Sequence, residues 1–132
     1  MATNKVFIGY DYDNDKASKA RLLGWDANKE FDFSSYDQSF GVAVDSPEAV
    51  AIKQDLAQRI GDASYFLCIV GKQTYFSGWA AWETRKAAEL KKKLVAVKTD
   101  SINDSPSALQ HAGALWSPLF TLDSIKKAIA GV

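Results

Sequence analysis

The sequence is poor in the residues that usually carry chemistry. Its 132 residues include one cysteine and one histidine. Cys68 has no partner for an internal disulfide and sits in an apolar run, which fits a reduced, cytoplasmic setting. A zinc site is not expected from one Cys and one His, so the expected metal set is none. Serine catalysis with a histidine base would rest on His111 alone, with no nucleophile elbow to support it. An excess of either charge is also missing: sixteen basic residues balance sixteen acidic ones. That balance argues against a nucleic-acid partner, which leaves a basic footprint, and against a polybasic membrane-surface role. No apolar stretch approaches the ~20 residues of a membrane-spanning helix. The opening MATNKVFIGY has no apolar signal region, so no signal peptide is expected. No GxxxxGK[ST] loop is present, and no GxGxxG follows a strand.

Two further motifs fail on their spacing. Asp11, Asp13 and Asp15 alternate as at the start of an EF-hand. The sixth position, however, is Lys16 where Gly is needed, and the twelfth is Leu22 where Glu is needed. The same acidic cluster, with Lys98 after a fourth strand, would suit a phosphorelay receiver. A receiver needs an acceptor Asp at the end of its third strand, and here that strand runs into Val70, Gly71 and Lys72. A flavin-binding flavodoxin relative is a further alternative, and a yellow protein would reveal it.

What is present is an ordinary globular composition, 47% hydrophobic and 24% charged. The length suits one domain over residues 1–132, with no built-in sensor or effector. Apolar runs at Lys5–Tyr10, Tyr65–Val70 and Leu94–Val97 predict strands buried on both faces. Glu30–Tyr36 is a weaker strand, and Pro118–Thr121 is the expected last one, at an edge. Helices are expected over 14–28, from a Ser46 cap with Pro47 at its first position to a stop at Gly61, over 79–93, from Ser105-Pro106 through His111, and from an Asp123 cap onward. The second helix would bury Ala49, Ile52, Leu56 and Ile60; the last would bury Ile125, Ala128, Ile129 and Val132. Lys91, Lys92 and Lys93 are expected to serve the carboxyl end of the third helix.

The order βαβαβαβαβα predicts an α/β fold. It is a flavodoxin-like, doubly wound, five-stranded parallel sheet, order 2-1-3-4-5, in three αβα layers. Such sheets bind ligands beyond the carboxyl ends of their strands, near the switch point.

One residue stands out on the third helix. At ~100° per residue with Trp79 at zero, Leu90, Leu94, Ala87 and Ala80 form an apolar stripe, and Glu83 falls in its middle at about 40°. Thr84, Arg85, Lys86 and Glu89 lie further off. Glu is rarely buried without a partner. It either gains from the positive helix end or lines a cleft where desolvation tunes it. Trp79 and Trp82 flank it, either as ordinary packing or as an aromatic wall for a flat ring. A lone carboxylate in such a cleft suits glycosyl transfer, because cleaving an N-glycosidic bond builds positive charge on the sugar. Where the leaving base is already cationic, as in NAD⁺, no strong general acid is needed.

Four segments carry a family likeness: KVFIGYDYDND, FDFSSYDQS, SYFLCIVGKQT and WAAWETRKAAELKKKLVAVKTD. Together they resemble the TIR-like family of bacterial Thoeris anti-phage systems, of ThsB type, over nearly the whole chain. KVFIGY is similar to the first-strand signature of TIR domains, with Gly9 where Ser is usual. The W-x-x-W-E segment is the most specific part: its Glu83 matches the essential Glu of catalytic TIR domains. The resemblance implies NAD⁺ cleavage, with NAD⁺ as substrate and no cofactor, nicotinamide release and a cyclic ADP-ribose isomer that activates a separate effector in antiviral defence. It implies Glu83 as the catalytic residue. Phe7, Ile8, Gly9, Tyr10 and Asp11 would form the cleft floor, with Trp79 and Trp82 beside them in substrate binding. The loop Tyr36–Ser46 corresponds by location to one that mediates assembly and gates the site in many TIR domains, and zero net charge leaves self-association free of repulsion. The alternative is a non-enzymatic TIR-like interaction module.

Overall fold

The computed structural model describes residues 4–27 and 29–131. The expected Asn28 end of the first helix and the buried Val132 lie outside those residues. Five strands run parallel in the order β2-β1-β3-β4-β5. They are β1 (Asn4–Gly9), β2 (Phe31–Ser35), β3 (Tyr65–Val70), β4 (Lys93–Lys98) and β5 (Leu115–Ser117). The helices are α1 (Tyr12–Trp25), α2 (Val50–Asp62), α3 (Gly78–Glu89), α4 (Ser107–His111) and α5 (Leu122–Ala130). Short 3₁₀ turns, Pro47–Ala49 and Thr74–Phe76, precede α2 and α3.

Strand alternation divides the core into two layers. Phe7, Phe66, Cys68, Leu94 and Ala96 face α2, α3 and α4 through Leu56, Ile60, Ala87 and Leu109. Val6, Ile8, Leu67, Ile69, Val95 and Val97 face α1 and α5 through Leu22, Ile125 and Ile129. Central strands covered on both faces must be apolar at nearly every position, as their runs predicted. The chain runs outward from β1 to β2, then returns to place β3 on the other side of β1. The carboxyl ends of β1 and β3 therefore lie side by side, with Gly9 opposite Cys68. This is the switch point at which such sheets hold ligands.

Several boundaries differ from the expected ones, each for a local reason. The last strand is Leu115–Ser117, paired with Val95–Val97, and not Pro118–Thr121. Pro118 has no N–H to give the ladder, so pairing stops before it. Thr121, not Asp123, caps α5: its hydroxyl accepts from the Ser124 N–H at 3.2 Å, and Asp123 falls in the first turn. Helix α1 starts at Tyr12 because the Asp11 carboxylate accepts the Asp13 N–H. It ends at Trp25, after which the Asp26 carboxylate accepts the N–H groups of Glu30 and Phe31 at the start of β2. At the head of α2, the Ser46 hydroxyl turns back to the Ala43 carbonyl and makes no cap bond. Gly61 lies inside α2, which runs on to Asp62.

The third helix stops at Glu89, so Leu90 is exposed and Leu94 belongs to β4. Lys91 takes a left-handed φ of 61°. The Lys91 N–H reaches the Ala88 carbonyl and the Lys92 N–H reaches Ala87, the paired bonds of a Schellman motif. The backbone of this run closes α3, while the ammonium groups of Lys92 and Lys93 serve other helices. Lys92 Nζ donates to the Gly61 carbonyl in the last turn of α2, and Lys93 Nζ donates to the Ile129 carbonyl in the last turn of α5. On α3 itself the buried face takes in Thr84, whose hydroxyl is satisfied by the Ala80 carbonyl at 2.8 Å.

Candidate active site

A cavity of about 480 Å³ opens at the carboxyl ends of β1 and β3. That lies within the roughly 300–1,000 Å³ typical of small-molecule sites. Three pieces of chain wall it. The β1–α1 junction brings Tyr10, Asp11 and Asp13; the β2–α2 loop brings Ser39, Phe40 and Val42; the head of α3 brings Ser77, Trp79 and Glu83.

Ser77 starts α3 by accepting the Ala80 N–H at 3.0 Å. One turn on, Glu83 enters the cavity wall with 4% of its surface exposed. Among the described residues it has no ion pair, and no side chain or N–H group donates to it. Burial alone pushes its carboxyl up to about 8, because the charged form loses its hydration. Behind it, a Cβ on Gly9 would lie 2.8 Å from the Phe66 ring and 3.4 Å from Glu83 Oε1. Glycine at this position makes room for both side chains.

The aromatic wall is a stack. Trp79, Phe40 and Tyr36 lie nearly parallel, with centroids 4.3 and 4.8 Å apart. The Trp79 Nε1–H donates to the Val42 carbonyl at 2.9 Å, tying the β2–α2 loop to α3. Two polar contacts tie the same loop to α1. The Ser39 hydroxyl donates to Asp13. Asp37 accepts from Tyr10, Ser35 and Lys19. Burial raises the Asp37 carboxyl, but these hydrogen bonds outweigh it and hold the group below the ordinary range. Burial and the Asp37 carboxylate together push the Tyr10 phenol up.

The sequence-predicted residues separate into three groups. Glu83, Tyr10, Asp11 and Trp79 meet on the cavity wall. Gly9 lies behind Glu83. Phe7 and Ile8 do not form the floor: both are core residues, on opposite faces of the sheet, as strand alternation dictates. Trp82 also lies off the wall, perpendicular to Trp79 and flanked by Lys53 and Lys86. Sequence reasoning singled out neither Phe40 nor Asp13 as wall residues. Phe40 lies in the Tyr36–Ser46 loop that the resemblance sets at the site, and its own signal was an apolar run, Phe40-Gly41-Val42, inside a polar loop.

A second buried carboxyl stands close by. Asp15 breaks the helical geometry of α1, with φ −121° and ψ 15°. Its Oδ2 is buried without a partner among the described residues, and it packs against Gly71 at the end of β3. Burial, then the Asp11 charge, raise it to about 6. Among the described residues no cluster of His, Cys, Asp and Glu could hold a metal ion. Among them, too, no helix is long and apolar enough to cross a membrane.

Residues 7–104 match the family described as Thoeris protein ThsB, TIR-like domain. No curated protein matches the chain. Solved structures share its fold at low identity. A 2-deoxyribosyltransferase from Bacillus psychrosaccharolyticus is 18% identical, with 80% of each chain covered and a TM-score of 0.56. A conserved protein from Enterococcus faecalis V583 is 14% identical over 98% of this chain and 88% of its own, with a TM-score of 0.53. The TIR domains of the activated Roq1 resistosome are 17% identical, over 74% of this chain and 60% of theirs, with a TM-score of 0.51.

Proposed function

The chain belongs to the TIR-like domain family of Thoeris protein ThsB, and from that premise we propose that it is a cytoplasmic NAD⁺-cleaving enzyme of antiviral defence. It releases nicotinamide and forms a cyclic ADP-ribose isomer, a diffusible signal for a separate effector. The observation that carries this reading is Glu83, a buried carboxyl without an ion pair among the described residues, set in an aromatic-walled cavity at the switch point.

The chemistry follows from that setting. Before a ligand enters, Glu83 holds its proton near neutral pH, since burial raises it to about 8. A fixed cation beside it favours the carboxylate, and the proton leaves as the nicotinamide ring enters. The bond between the anomeric carbon and the ring nitrogen then breaks, and its electron pair leaves with nicotinamide, which becomes neutral. The positive charge passes to the ribose, where the Glu83 carboxylate stabilises it. An ADP-ribose atom, rather than water, bonds to the anomeric carbon, and any proton on that atom passes to Glu83. The stacked rings of Trp79 and Phe40 line the cavity beside it.

The test is incubation of concentrated protein with NAD⁺, followed by chromatography and mass analysis. Nicotinamide and an ADP-ribose isomer are expected. Glu83→Gln should lower the rate by roughly a hundredfold or more while the protein stays folded. Unchanged NAD⁺ under both dilute and self-associating conditions overturns the enzyme reading. It would favour the second reading, a TIR-like interaction module. That reading draws on Tyr75 and Phe76, an exposed aromatic pair beside the head of α3.

A further inference from the structure

The cavity wall is electrically one-sided. Asp11, Asp13 and Glu83 line it, and among the described residues no lysine or arginine does. Two lysines of α1 stand by the wall, Lys16 at its Tyr12 ring, and each is held by a neighbouring side chain. Lys16 lies over the Tyr12 ring at 4.7 Å, and Lys19 is paired with Asp37 at 2.9 Å. The head of α3 adds positive potential, but a helix end amounts to roughly half a unit charge. Two carboxylates, and three once Glu83 ionises, outweigh it. Glu83 points independently to a ligand: it is 4% exposed and has no ion pair among the described residues.

We propose that this cavity selects the charge of the ring it accepts, with Asp11 and Asp13 as specificity-determining residues. It takes a flat heterocycle bearing a fixed positive charge and rejects neutral or anionic rings of the same shape. This rests on the reading of the cavity as the NAD⁺ site, and it adds a rule that the reading does not contain. The oxidised, cationic ring enters, the reduced ring is excluded, and the anionic diphosphate stays at the mouth because the wall offers it no cation. Hydrogen bonds hold both carboxylates in place: Asp11 accepts from the Asp13 N–H and from Asn14, and Asp13 accepts from Ser39.

Three small probes that cannot be cleaved isolate the effect: cationic N-methylnicotinamide, neutral nicotinamide and anionic nicotinate. Their affinities for the full chain are measured by titration calorimetry or ligand-observed NMR. N-methylnicotinamide is expected to bind about tenfold or more tightly than nicotinamide, with nicotinate weakest. Added salt should weaken the first and leave the second unchanged. The double variant Asp11→Asn, Asp13→Asn should bring the first two affinities within about twofold. Should that variant fail to fold, Asp13→Asn alone is expected to reduce the preference, and the salt response of the unaltered protein remains as a test. Equal affinities, or nicotinamide binding tighter, overturn the proposal. NAD⁺ cleavage is read separately. Cleavage without a charge preference overturns this inference and leaves the enzyme reading standing. A charge preference without cleavage does the reverse.

Discussion

The Phe40 ring lies flat on the Trp79 indole, with centroids 4.3 Å apart and planes 6° from parallel. The two residues come from different elements, the β2–α2 loop and the head of α3. Tyr36 stacks on the other face of Phe40 at 4.8 Å. Phe40→Ala removes both contacts while leaving the Trp79–Val42 hydrogen bond to hold the loop. Phe40 is only partly buried, so the loss should be about 2 kcal/mol, less than for a fully buried Phe. Urea denaturation measures it. An unchanged midpoint would show that the stack contributes nothing to stability.

Glu83 makes stability depend on pH. Its carboxyl rises from an ordinary 4.5 to about 8 on folding. A raised carboxyl favours the fold while protonated. Its contribution is therefore fully present below pH 4.5, falls as pH rises, and is gone once Glu83 ionises near 8. Glu83→Gln has no charge to bury. The variant should gain stability relative to the native protein as pH rises from about 4.5 to 8, by an amount on the order of several kcal/mol. Thermal unfolding across that range reads the difference. Parallel pH curves for the two proteins would mean that Glu83 does not carry this burden. The same substitution should abolish nicotinamide release, so stability and activity would move in opposite directions.

Asp15 and Gly71 depend on each other. A Cβ on Gly71 would fall on the Asp15 carboxylate, so only glycine fits while Asp15 is in place. Gly71→Ala should cost about 2 kcal/mol or more through this overlap. In an Asp15→Ala background the overlap is gone, and the same change should cost at least about 1 kcal/mol less. The double-mutant cycle, measured by chemical denaturation, tests that coupling. Additive effects would show that the two residues act independently.

The fold was readable because its main signals are local. Val6, Ile8, Leu67 and Val95 lie in short apolar runs, rich in β-branched and aromatic residues and bounded by polar turns, the pattern of strands covered on both faces. The edge strand was misplaced by three residues because Leu115–Ser117 is too short to form a pattern, and the Pro118 signal was read as a start when it is a stop. Glu83 was legible for a similar reason, since a carboxylate on an apolar helical stripe is an anomaly within one helix. Phe40 and Asp13 were not. Phe40 reaches the site by stacking on a residue 39 positions away, and Asp13 by its place after a cap. Nothing in the spacing of Asp15 reveals that it faces a glycine across the crevice. Assigning Phe7 and Ile8 together to the cleft floor took neighbours in sequence for neighbours in space, where a strand sends them to opposite faces.

The turn after α3 gives the last prediction. Lys91 sits at the left-handed position of the Schellman motif, with φ 61°. Its Cβ crowds the backbone there, and for a residue with a side chain that conformation costs roughly 1–2 kcal/mol. Glycine has no such cost, although it loses more freedom on folding. Lys91→Gly should therefore stabilise the protein by about 0.5–1 kcal/mol. No side-chain bond is lost in the change, because the motif uses only the N–H of Lys91. Lys92 and Lys93 provide the contrast. Their ammonium groups cap the last turns of α2 and α5, so Lys93→Met should destabilise by about 1 kcal/mol while keeping similar length. Denaturation midpoints should move in opposite directions for these neighbouring positions. A loss of stability in Lys91→Gly would mean that the left-handed turn is not strained.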